Sequence, residues 1–66
     1  MNYVGMQVWL VDDSLFTVPN EHVNEAARQL FKYAREGSPR FIELGKNQFY
    51  AASNIASFNL AEEEAE

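Results

Sequence analysis

The sequence predicts an α+β domain, a three- or four-stranded antiparallel sheet with one amphipathic helix packed on one face. Three observations predict it. A stretch of period two opens the chain, a stretch of period 3.6 follows Pro19-Asn20, and a second extended region built around a tight-turn signal follows Gly37 and Pro39. At 66 residues the chain holds one domain, with residues 1–60 as its body and the acidic run 61–66 as a tail.

The first element is "YVGMQVWLV", where Val4, Met6, Val8 and Leu10 share one face and Tyr3, Trp9 and Val11 the other. Asp12-Asp13-Ser14 is a turn signal, because these short polar side chains bond to nearby backbone amides. "LFTV" returns as a short strand. Asn20 is placed to cap a helix running from Glu21 to Glu36, with its apolar stripe at Val23, Ala26, Ala27, Leu30, Phe31 and Ala34. Gly37 suits the left-handed position after a helix, and Pro39 prevents continuation. Strands at 40–44 and 48–52 flank a Gly45-Lys46-Asn47 turn. Ser53-Asn54 bends the chain, and Ala56, Phe58 and Leu60 then alternate with polar residues.

One helix covers one face of such a sheet. Val4, Met6, Val8, Leu10, Ile42 and Leu44 form the expected helix-side set. Tyr3, Trp9, Val11, Phe41 and one of Phe49 or Tyr50 form the opposite set. A contiguous apolar patch of that kind is uncommon on a monomer, so Tyr3, Trp9, Val11, Phe41 and Phe49 are the candidate interface. The competing reading closes them into a second small core under residues 53–60. A homodimer is the expected form of the interface, because so small a domain is marginal alone and two-fold dimers are the commonest oligomers.

Bulk properties exclude several classes. There are no cysteines and one histidine, so neither disulfides nor a zinc site is expected. The N-terminus lacks a basic region and a cleavage site, and no apolar run approaches a membrane span, so a cytoplasmic protein without membrane contact is expected. The net charge is −5, but four of the ten carboxylates are Glu62, Glu63, Glu64 and Glu66, leaving the body nearly neutral. Arg28, Lys32 and Arg35 form a helical stripe that reads either as a phosphate-tracking ridge or as a solvated face paired to Glu25 or Glu36. His22 reads as an exposed polar helix residue. Asp12-Asp13 offers too few oxygens for calcium, and Ser14, Ser53 and Ser57 lack a base at suggestive spacing. The glycines at 5, 37 and 45 form no phosphate loop. No enzyme and no cofactor are expected.

The pattern FIEL-GKNQFY-AASNI-ASF, preceded by a strand and a short amphipathic helix, resembles small proteins of phages and prophages of Gram-positive bacteria over roughly residues 6–60. The resemblance implies a cytoplasmic accessory protein of a mobile element that binds and blocks a host protein. Some such proteins mimic DNA, as small inhibitors of uracil-DNA glycosylase do. The sequence therefore reads first as a non-enzymatic protein-binding module that inhibits a host protein. The alternatives are an acidic DNA-mimic inhibitor and a nucleic-acid-binding accessory protein. The concentration of carboxylates in the tail departs from a mimic.

Overall fold

Alternating polarity forms β1 (Tyr3–Leu10), and the Asp12-Asp13-Ser14 turn returns the chain into the short β2 (Leu15–Thr17). Asp12 Oδ1 accepts from both the amide (3.0 Å) and the hydroxyl (2.6 Å) of Ser14, while Asp13 takes a left-handed φ of 70°. The computed structural model describes residues 3–62 of the chain. After a 3-10 turn at Asn20–His22 comes α1 (Val23–Glu36), then β3 (Phe41–Gly45), β4 (Gln48–Ala51), a second 3-10 turn at Ala52–Asn54, and β5 (Ile55–Glu62). The strands form a three-stranded antiparallel sheet of order β2–β1–β5 and a separate antiparallel pair β3–β4. The molecule is thus a small α+β fold with one helix. The hairpin that the sequence placed with the other strands makes a sheet of its own.

One core joins these parts. Met6 and Val8 from β1 meet Val23, Ala26, Ala27 and Leu30 from α1 and Ile42 and Leu44 from β3. Val18 and Ala52, at the connections, close it. The ring of Phe16 on β2 lies 5.4 Å from that of Tyr50 on β4, so the hairpin is tied to the three-stranded sheet by an aromatic pair.

Bulges decide which side chains enter that core. Tyr3 pairs with Glu62 and Gly5 with Ala61, so Val4 is one residue too many in β1. The extra residue reverses the alternation. Val4, expected on the helix side, is 47% exposed. Tyr3, expected on the opposite face, packs on the core with its ring 6.4 Å from that of Phe31. A second bulge lies in β5, where Ser57 pairs with Trp9 and Ile55 with Leu10, leaving Ala56 over. It turns Ile55 onto the same side as Phe58 and Leu60, all three packed against the core.

The helix ends as its sequence predicts. Gly37 has φ 76° and its amide bonds to the Tyr33 carbonyl at 2.7 Å. Its start differs. Asn20 makes no capping bond, and the 3-10 turn carries the chain in, with the His22 amide bonded to the Pro19 carbonyl. The tightened entry brings His22 against β3. It is half-buried rather than exposed, and its Nε2–H donates to the Glu43 carbonyl at 3.0 Å. The Glu43 amide donates to Gln29 Oε1 at 3.1 Å. One side chain from the 3-10 turn and one from α1 thereby satisfy both backbone groups of Glu43 on the edge of β3 that does not face β4. On the β1 side Asn24 does the same for Tyr3, accepting from its amide (3.0 Å) and donating to its carbonyl (3.3 Å).

The apolar stripe of α1 narrows toward its C-terminus. Leu30 is buried, but Phe31 is 43% exposed and Ala34 is exposed. Phe31 covers the rim instead, with its ring between those of Tyr3 and Phe58. Strand β5 also runs through Ala61 and Glu62, two residues the sequence assigned to the tail, because both find partners on β1. Glu63, Glu64 and Glu66 lie outside the described residues.

Two measurements check this packing. Leu30→Ala is expected to cost about 2–5 kcal/mol in chemical denaturation, as for other buried Leu truncations, and Phe31→Ala markedly less because its ring is half in water. The amide of Glu43 is expected to exchange slowly in hydrogen–deuterium exchange. Gln29→Ala is expected to strip that protection and to cost about 1–3 kcal/mol, the penalty of an orphaned amide.

Candidate interaction surface

The five candidate interface residues divide among four places. Tyr3 is committed to the core rim by the Val4 bulge. Trp9 lies on the outer face of the three-stranded sheet, between Leu15 on β2 and Ser57 on β5. The next positions on that face are polar, namely Gln7 two residues along β1 and its partners Thr17 and Asn59. Val11 is exposed just past the end of β1, where its amide bonds to the Asn54 carbonyl at 2.9 Å. Residues 53–60 close no second core over Trp9, because they turn Ile55 and Phe58 inward and set Ser57 and Asn59 on its side.

Phe41 and Phe49 belong to a different surface. In the β3–β4 pair, Ile42 faces Tyr50 and both enter the core, while Phe41 faces Ala51 and Glu43 faces Phe49 on the other side. This settles which of Phe49 and Tyr50 points outward. Phe41 and Phe49 sit at diagonal positions, each 61% exposed. Glu43 between them is held by the turn, its Oε2 accepting from the Asn47 amide at 3.0 Å, where Asn47 has φ 61°. The hairpin is anchored from beneath by fully buried Ile42 and Leu44. It therefore presents two large aromatic rings from a fixed backbone.

The basic stripe is largely neutralised. Arg28 is paired with Glu25 through two hydrogen bonds, and Arg35 with Glu36 at 3.2 Å. Among the described residues Lys32 forms no ion pair. The Arg28 hydrogen bond holds the Glu25 carboxyl below the usual range. An open cleft of about 430 Å³ lies beside His22, lined by Pro19, Glu21, Glu43, Lys46 and Gln48. His22 Nε2 is already bonded to the Glu43 carbonyl there, and Glu43 Oε1 lies 3.8 Å away. Sequence reasoning missed the backbone-pinning roles of Asn24 and Gln29. Their signal is the spacing: Asn24, Ala27 and Phe31 form one helical row, and His22, Ala26 and Gln29 another. Among the described residues no helix is long and apolar enough to cross a membrane.

Asp12 carries an electrostatic expectation. The Ser14 hydroxyl and then its amide hold the Asp12 carboxyl below its ordinary 3.8. A depressed carboxylate stabilises the turn above its unfolded pKa and loses that contribution as pH falls through the folded value. Carboxyl titration by NMR is expected to place Asp12 below 3.8 in the native protein and to move it upward in Ser14→Ala. No family model, no curated protein and no solved structure matches the chain.

Proposed function

We propose that the chain is a non-enzymatic protein-binding module that docks through the outward face of its β3–β4 hairpin and blocks the protein it binds. The exposure of Phe41 and Phe49 carries this reading. Two phenylalanines at 61% exposure on one face of a well-anchored hairpin leave a large apolar area in water, at about 25 cal/mol per Å². Rigid aromatic anchors of this kind dominate binding energy when a partner's pocket desolvates them. The phage-type accessory role expected from the sequence would make that partner a host protein in a bacterial cytoplasm. The DNA-mimic reading loses ground on this surface, which presents rings rather than an array of carboxylates. The nucleic-acid reading loses ground because Arg28 and Arg35 are already paired.

The test compares proteins retained from a bacterial host lysate by the immobilised chain and by Phe41→Ser/Phe49→Ser. Both positions are exposed, so the double variant is expected to keep its melting temperature. A specific partner is expected to bind the wild type and to be lost from the variant, since two hot-spot anchors contribute about 2 kcal/mol or more each. Partners retained equally by both proteins, or a retarded DNA band with salt-sensitive affinity, overturn the reading.

A further inference from the structure

The sheet order β2–β1–β5 leaves β5 with one free edge, eight residues long. Backbone directions along that edge follow from the hydrogen bonds of β1. The Met6 carbonyl accepts from Val18, and the Leu10 amide and carbonyl bond to Ser14 and Asp13, so these residues point toward β2. By alternation Gly5, Gln7 and Trp9 point toward β5, where their partners are Ala61, Asn59 and Ser57. Phe58 and Leu60 therefore direct their amides and carbonyls to the outer edge. Among the described residues, none of the backbone or side-chain hydrogen bonds reaches that edge.

The other edges are shielded in ways β5 is not. The free edge of β3 is capped at Glu43 by His22 and Gln29, β2 is three residues long, and β4 is four. Between Ile55 and Ala61 there is neither proline nor a charged residue, the usual protections of an edge strand. Beside this edge, between β5 and the second half of α1, runs an apolar groove of about 370 Å³ whose walls include Leu30, Tyr33, Ala34 and Phe58.

We propose that β5 pairs antiparallel with β5 of a second copy, joining the two three-stranded sheets into one continuous sheet about a two-fold axis at Asn59. Antiparallel pairing of one edge with itself satisfies the two-fold requirement that the same residues meet on both sides. In this register Phe58 of each copy lies opposite Leu60 of the other, matching the outward backbone groups. The second copy's Leu60 side chain, on the same side as α1, enters the apolar groove. Charge selects the direction. Antiparallel pairing carries the Glu62 end of each β5, where the acidic run begins, to the Ile55 end of the other. Arg40 waits there, lining a small cleft with Ala52 and Ser53 and forming no ion pair among the described residues. Parallel pairing sets the two acidic ends side by side. The proposal is independent of the hairpin face, which stays free in the paired form.

Asn59 supplies the test, because the chain has no cysteine of its own. On the axis it faces its own copy as a non-hydrogen-bonded pair, with Cα atoms about 4.5 Å apart, within the span a disulfide bridges. Asn59→Cys is expected to oxidise to a covalent dimer on a non-reducing gel. Gln7→Cys, also exposed on the outer face but on the central strand, is expected to stay monomeric on that gel. Sedimentation is expected to show a wild-type dimer and an Asn59→Lys monomer with an unchanged circular dichroism spectrum, since like charges would face each other on the axis. A wild type that sediments as a monomer at high concentration overturns the proposal. So does a dimer in which Asn59→Cys cross-links no better than Gln7→Cys, because that dimer uses another face.

Discussion

The approach of α1 to the strands is the constraint on which the other features depend. Ala26 and Ala27 are buried at the centre of the helix's inner face and carry nothing beyond Cβ. The helix backbone can therefore come close to β1 and β3. At that distance short amide side chains reach the strand backbones, Asn24 at Tyr3 and Gln29 at Glu43, with His22 completing the second site. A larger residue at either alanine lifts the helix and separates these hydrogen bonds together, in addition to straining the core. Apolar packing and backbone satisfaction are thus coupled through two small side chains.

That coupling also explains how a domain of this size holds two sheets. A lone hairpin is marginal in water. Here β3–β4 is retained because Ile42 and Leu44 are fully buried, Tyr50 packs on Phe16, and the edge of β3 is capped by the helix. The helix packs against both sheets, apolar at its centre and hydrogen-bonding to β1 through Asn24 and to β3 through Gln29. Anchoring by one face leaves the hairpin's other face, with Phe41 and Phe49, turned to water.

The two surfaces of interest differ in kind. The hairpin offers side chains, two rings on a rigid support, and suits a partner with an apolar pocket. The edge of β5 offers backbone, a row of amides and carbonyls with an apolar groove beside it, and suits another strand. Trp9, the most conspicuous residue in the sequence, belongs to neither. It sits among polar neighbours on the outer face of the three-stranded sheet, with Leu15 beside it.

Elements defined by local chemistry were legible in the sequence. The alternation of β1 from Met6 to Leu10, the Asx turn at Asp12, the burial of Leu30 and the helix stop at Gly37 each depend on a few adjacent residues, and each stands where the sequence put it. Of the candidate site, the outward direction of Phe41 was legible and that of Phe49 was left open against Tyr50. The tertiary structure decided what local pattern does not encode. One extra residue at Val4 exchanges the faces of Val4 and Tyr3, and one at Ala56 turns Ile55 inward, because cross-strand fit rather than polarity sets where a bulge falls. The half-burial of His22 depends on a 3-10 entry that only contact with β3 reveals. The division into two sheets was hidden for the same reason. Which strands share hydrogen bonds is a matter of long-range pairing, and periodicity along a single strand carries no record of its neighbour.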